Sequence, residues 1–193
     1  VFEVLFKKIA EIVILSEEET EAVKTFFLPK KIRKKQYLVQ EGDSCKYLTF
    51  IEKGALRSYT VNEKGNEHII QFAIEGWWIT ENSSFFKAAP SGYNIDALED
   101  SEILLINLSN YENMLTSIPA MERYFRIHFQ ERLIALQRRI AITLTYSLEQ
   151  KYIRMLDIYP DIIDRFPQHL IASYLGTTPE TISRIRKQLS LRK

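Results

Sequence analysis

The sequence predicts an α+β protein: an N-terminal antiparallel β-roll of the jelly-roll type, one long helix, and an all-α C-terminal segment closing in a helix-turn-helix. Three observations carry this. From about Lys31 to Leu108, short apolar stretches alternate with turn signals. Between Pro119 and Thr145 there is neither Gly nor Pro. Residues 168–189 set an alanine, a glycine and a Thr-Pro pair at the spacing of two crossed helices.

Composition agrees with a folded chain. The 193 residues are 46% hydrophobic and 26% charged, enough to bury a sizeable core. The net charge of +1 conceals an asymmetry. From Phe166 onward five Lys or Arg (Arg184, Arg186, Lys187, Arg192, Lys193) face the single acid Glu180, while residues 1–165 hold 21 basic and 24 acidic residues. A basic tail on a weakly acidic body points to a nucleic-acid contact at the C-terminal end. The lone Cys45 excludes an intrachain disulfide and a cysteine-only zinc or iron–sulfur cage, and fits a reducing compartment. At the N-terminus Lys7, Lys8 and Glu11 interrupt each apolar run before it reaches signal or membrane-span length, so a cytoplasmic protein without a membrane partner is expected.

Residues 16–27 open with Ser16 and Glu19, a capping box, and carry apolar Ala22, Val23, Phe26 and Phe27. The β region follows as Tyr37–Val39, Tyr47–Ile51, Leu56–Val61, His68–Ile74, Ile95–Leu98 and Ile103–Leu108. Turns are signalled at Glu41-Gly42-Asp43, Lys53-Gly54, Lys64-Gly65-Asn66 and Pro90-Ser91-Gly92. A second capping box, Ser109 with Glu112, predicts a short helix ending before Pro119, which then sits in the first turn of the long helix. Along that helix, about 40 Å long at 1.5 Å per residue, Phe125, Phe129, Leu133, Leu136, Ile140 and Leu144 recur every three or four residues as an apolar stripe, which either covers the β-roll within one chain or also meets its twin across a two-fold axis. Ser147 with Gln150 caps the next helix, which stops near Pro160; two more follow Pro167.

In the terminal pair, Ala172 is small where a second helix crosses closely. Gly176 ends the first helix by adopting the left-handed conformation that a Cβ resists. Thr178 caps the second helix and Pro179 fills its first turn. Ile182, Ile185 and Leu189 form a seam against Leu170, Ile171, Tyr174 and Leu175. The opposite face presents Glu180, Ser183, Arg184 and Lys187, with Thr181 and Gln188 on its flank. Arg pairs with guanine, Glu accepts from cytosine, and Ser and Thr serve bases or phosphates, which makes this face fit a major groove. Thr178, Glu180, Thr181, Ser183, Arg184, Lys187 and His169 are therefore the candidate contacts to double-stranded DNA. The competing reading is a ligand-sensing or protein-interaction module whose terminal helices bind a protein partner.

The chain resembles the Crp/Fnr superfamily of transcriptional regulators over nearly its full length. The resemblance rests on Glu41-Gly42-Asp43, on Tyr47-Leu-Thr-Phe-Ile-Glu-Lys-Gly54, on the long helix, and on Leu175-Gly-Thr-Thr-Pro-Glu-Thr-Ile-Ser-Arg184. It implies a β-roll effector domain at 1–118, a dimerisation helix at 119–146 and a helix-turn-helix DNA-binding domain at 147–193, hence a homodimer. In the family's Arg-Glu-x-x-x-Arg recognition pattern Glu180 and Arg184 match, and Pro179 replaces the first Arg. The sequence ends just after the recognition helix, leaving little room for a wing. Cyclic-nucleotide binders of the family use a Gly-Glu pair and an Arg-Ser/Thr-Ala segment. Here Glu81 matches, Thr80 replaces the glycine, and no Arg or Lys lies between Lys87 and Arg123. An unpaired buried phosphate is costly, so the expectation is an effector other than cyclic AMP, of unknown identity, or none (a constitutive regulator). Trp78, Thr80, Glu81 and Tyr93 are the candidate effector pocket; Trp77, Trp78, Phe85 and Phe86 are otherwise core. The run Lys30–Lys35 could touch DNA or RNA polymerase, or be a solvated strand edge. His68, His128 and His169 lie in different elements without a ligand-spaced partner, so no metal, cofactor or catalytic site is expected.

Overall fold

The computed structural model describes residues 1–191; Arg192 and Lys193, counted in the basic tail, lie outside the described residues. Contacts divide the chain into two compact units, residues 1–60 with 70–131, and residues 61–69 with 132–193.

The eight strands are β1 (Leu28–Ile32), β2 (Tyr37–Val39), β3 (Tyr47–Lys53), β4 (Leu56–Val61), β5 (Glu67–Ala73), β6 (Trp78–Ile79), β7 (Asn94–Ala97) and β8 (Ser101–Asn107). They form two four-stranded sheets, ordered β1-β8-β3-β6 and β2-β7-β4-β5. The register sets Phe50 opposite Leu104 and Ile51 opposite Ile103. Alternation explains the unbroken apolar run of β8. Ile103 and Leu105 join Ile51, Leu56, Ile79 and Ile95 between the sheets, while Leu104 and Ile106 join Leu48 and Phe50 under the helices. β8 is buried on both faces, so its sequence carries no polar alternation.

The helices of this unit are α1 (Glu3–Ala10), α2 (Glu17–Thr25), α3 (Asn82–Lys87), α4 (Leu108–Ser117) and the first half of α5 (Pro119–Thr145). Leu5, Ile9, Val23, Met114, Met121, Tyr124 and Phe125 complete their core. The Ser16–Glu19 box caps α2 as expected. Two features differ from expectation. α4 is capped by Asn107, whose side chain accepts from the Asn110 amide at 2.8 Å, and not by Ser109. Strand β8 runs to Asn107, so the helix has already begun when Ser109 is reached. α1 gave no capping signal because its cap comes from elsewhere. The Glu52 carboxylate accepts from the Leu5 amide at 2.8 Å and the Val4 amide at 3.2 Å, neutralising open donors at a helix N-terminus from 47 residues away.

The basic run lies partly inside β1, an outer strand of its sheet, with Lys31 paired to Glu102 at 2.8 Å. Cations there discourage pairing with another sheet edge.

The second unit holds the rest of α5, α6 (Leu148–Ile158), α7 (Ile162–Arg165), α8 (Gln168–Leu175) and α9 (Pro179–Ser190). Ser147 and Gln150 cap α6 reciprocally. Residues 61–69 belong here through Ser173, whose hydroxyl donates to the Glu67 carbonyl at 2.6 Å and accepts from the Ile69 amide at 3.0 Å. Along α5 the apolar stripe changes character. Phe125 is buried and Phe129 packs against the core, whereas Leu133, Leu136, Ile140 and Leu144 are more than half exposed. Among the described residues no helix is long and apolar enough to cross a membrane, and no group of three or more His, Cys, Asp or Glu could hold a metal.

Candidate nucleic-acid interface

The turn between α8 and α9 is built by local chemistry. Gly176 sits at φ 69°, in the left-handed region, and its amide donates to the Ser173 carbonyl at 3.1 Å. The Thr177 amide reaches back to the Ala172 carbonyl at 2.9 Å, completing a Schellman-type end. Thr178 then caps α9, accepting from the Thr181 amide at 3.4 Å, and Pro179 occupies the first turn. One tie escaped the sequence: the Gln168 side-chain amide donates to the Pro179 carbonyl, joining the starts of the two helices. Its signal was weak, because glutamine at a helix start is common.

Packing orients α9. Ile182 is fully buried and Ile185 nearly so, as are Leu170, Ile171 and Ala172 on α8, the helix α9 packs against. Leu189, Tyr174 and Leu175 are half-buried at the margin. With that face turned inward, Glu180, Ser183, Arg184 and Lys187 are exposed together, Thr181 is half-buried, and Thr178 and His169 are exposed. The hydroxyls of Thr178 and Thr181 lie 3.3 Å apart. Glu180 is turned toward the helix start. Its own backbone amide, and then the Thr178 hydroxyl, hold its carboxyl below the usual carboxylate range. Behind the pair, the Tyr174 ring stands perpendicular to Tyr159 at 6.1 Å and carries the Arg139 guanidinium 4.4 Å from its centroid. Burial pushes the Tyr159 phenol up, so it stays neutral. The outer face is thus a cation-bearing helix surface with hydroxyls at its start.

In the β-roll the four candidate effector residues separate. Trp78 is core: its indole N–H donates to the Tyr124 hydroxyl at 3.1 Å, and its ring lies 5.0 Å from Phe50 and 5.1 Å from Phe125. Burial raises the Tyr124 phenol to about 12 despite that bond. Thr80 and Tyr93 do meet, the Tyr93 hydroxyl donating to the Thr80 carbonyl at 3.2 Å. Glu81 caps α3 with its own carboxylate, which accepts from the Ser83 and Ser84 amides. The donors that could have met an incoming anion are already occupied. Phe85 is buried and Phe86 partly exposed. A cavity of 410 Å³ opens elsewhere in this unit, lined by Leu38, Val39, Cys45, Tyr47, Thr49 and Ile95 among others, and none of the four candidates lines it. Sequence reasoning did not find it, since no motif marks the meeting of β2, β3 and β7.

A family model described as a cyclic nucleotide-binding domain matches residues 29–117. The fumarate and nitrate reduction regulatory proteins of Escherichia coli (strain K12) and Salmonella typhi are each 27% identical over 186 residues, covering 89% of this chain and 72% of theirs. Among solved structures, FixK2 from Bradyrhizobium japonicum superposes with a TM-score of 0.68 at 19% identity, covering 86% of this chain and 85% of that one. The c-di-GMP responsive global regulator CLP of Xanthomonas campestris gives 0.71 at 13% identity, covering 92% and 93%. These two structural likenesses speak for the fold. Taken with the regulators similar in sequence and the α8–α9 geometry, they make the chain similar to transcriptional regulators of the Crp/Fnr type, with a cyclic nucleotide-binding-type β-roll ahead of a helix-turn-helix.

Proposed function

We propose that the protein reads a palindromic operator as a homodimer, each copy laying α9 in a major groove. The observation that carries this is the exposure of Glu180, Ser183, Arg184 and Lys187 on one side of a helix whose other side is locked by Ile182 and Ile185. Arg184 takes a guanine edge and Glu180 a cytosine amino group, which requires Glu180 to swing away from the Thr178 hydroxyl. Lys187, Ser183, Thr181, Thr178 and His169 take phosphates or flanking bases and set the register. Pro179 in place of an arginine gives a base preference unlike that of the family's Arg-Glu-x-x-x-Arg pattern.

One recognition helix reads few bases, and duplication on a two-fold axis supplies the rest. Leu133, Leu136, Ile140 and Leu144 supply an apolar seam for it. The functional division is then 1–118 for sensing, 119–146 for dimerisation and 147–193 for DNA. Control is by a population shift across the Thr145–Ser147 junction that alters the spacing of the two recognition helices. The regulator does not use cyclic AMP: the Glu81 carboxylate is spent on α3, and no arginine stands where the phosphate would lie.

Selection of bound DNA from random sequence tests this. Enrichment of a palindrome, lost with Arg184→Ala, is the expected result; uniform weak binding to every sequence refutes it in favour of a protein-binding module. Glu180→Ala should relax base preference more than it weakens affinity. Millimolar cyclic AMP should leave Tm unchanged, and a rise of several degrees would overturn that part.

A further inference from the structure

A groove of 510 Å³ lies in the second unit between α6, α7 and α9, lined by Tyr152, Ile153, Leu156, Ile163, Arg186, Leu189 and Ser190. That volume is in the range of small-molecule sites. The Tyr152 hydroxyl is buried and has no hydrogen-bond partner among the described residues. An orphaned buried hydroxyl is destabilising, so a group that completes it from the groove would be favoured. Arg186 supplies a cation at the same place, and it opposes the upward push of burial on the Tyr152 phenol. It is exposed, and no ion-pair partner for it is found among the described residues. At 100° per residue it stands about 200° around α9 from Arg184, so the DNA-facing side does not use it. Ser190 also lines the groove, its hydroxyl donating to the Lys187 carbonyl at 2.9 Å, and the other walls are apolar.

We propose that this groove binds a small amphipathic monocarboxylate, its hydrocarbon body against Ile153, Leu156, Ile163 and Leu189, and its carboxylate shared by the Arg186 guanidinium and the Tyr152 hydroxyl. One cation and one hydroxyl among aliphatic walls match a single negative charge on an apolar stem. A highly charged phosphate ester would leave charge uncompensated. The site is separate from the β-roll, and a ligand there braces α9 from behind.

Decanoate tests it by titration calorimetry with the full chain. Saturable binding near one per chain is expected, with decanol, which has the same tail and no charge, weaker by about tenfold or more. Arg186→Gln, an exposed position, should cause a similar loss. Tyr152→Phe should weaken decanoate binding while raising Tm in its absence, since it removes an unsatisfied hydroxyl. Equal affinity for decanol, non-saturating uptake, or binding untouched by Arg186→Gln would overturn the proposal. So would competition between decanoate and self-association, which would put a second copy on the groove. None of these readouts requires DNA, so a chain that takes up decanoate but ignores DNA would sink the operator-reading function and leave this site standing.

Discussion

Leu136 gives the sharpest test of the proposed dimer seam. It keeps 53% of its surface exposed in the single chain. Burying a whole leucine side chain is worth about 1.5–3 kcal/mol, so the open half is worth about 1 kcal/mol. A two-fold interface contains the residue twice. Leu136→Ala should therefore weaken dimerisation by about 2 kcal/mol, about a 30-fold rise in the dimer Kd. Leu136→Asp, which sets two carboxylates against each other in an apolar seam, should leave only monomer at micromolar concentration. The residue is partly solvated in its own chain, so a single copy should lose no more than about 0.5 kcal/mol of stability in urea. Sedimentation equilibrium reads the first effect and urea unfolding under dissociating conditions the second. A wild type that is monomeric at about 100 µM, or an Ala variant that dimerises like wild type, would refute the reasoning. A dimer Kd worsened only in step with lost chain stability would refute it as well, because that would mark Leu136 as part of the monomer's own packing.

Other outcomes follow from the geometry. Arg57 and Asp96 form a buried two-pronged pair at 2.8 and 3.1 Å, with the guanidinium 4.0 Å from the Tyr59 ring centroid. Asp96→Ala should cost about 3–5 kcal/mol by taking the carboxylate from a buried guanidinium, whereas Arg57→Met with Asp96→Val should recover most of it; denaturant curves showing equal losses would contradict this. Gly54 sits at φ +96°, and a Cβ there would come within 2.8 Å of the Ser101 Cα. Gly54→Ala should lose about 1–3 kcal/mol or more in thermal unfolding, and a neutral result would mean the turn can shift. Glu180 has a lowered folded pKa, so its contribution to stability is present above the unfolded carboxylate value and disappears as pH falls through the folded one. A carboxyl NMR titration should place its midpoint below that of a free glutamate, and Thr178→Ala should move the midpoint up; an unmoved midpoint would discount the hydroxyl.

Much of the fold was legible in the sequence because the relevant signals are local. Gly176, Thr178 and Pro179 encode a turn in four residues, and the capping boxes at Ser16 and Ser147 recur in the structure with both halves formed. The outward face of α9 followed from helical period alone, since Ile182 and Ile185 leave only one side free. Most of the strands followed from spacing and turn residues. Ser109 misled because its box pattern is satisfied in sequence while β8 and Asn107 had already started the helix.

Tertiary structure decided whatever depends on which distant groups meet. α1 is capped by Glu52, a partner far along the chain, so no local pattern announced it. Trp78 and Ile79 are neighbours in sequence yet point into different cores, which turned Trp78 from a possible pocket wall into packing against Tyr124 and Phe125. Glu81 kept its expected position but spends its charge on α3. The groove holding Tyr152 beside Arg186 joins elements more than twenty residues apart. Helical period and turn chemistry act over a few residues and can be read from a string. Burial, orphaned hydroxyls and cavities exist only once remote surfaces have excluded water.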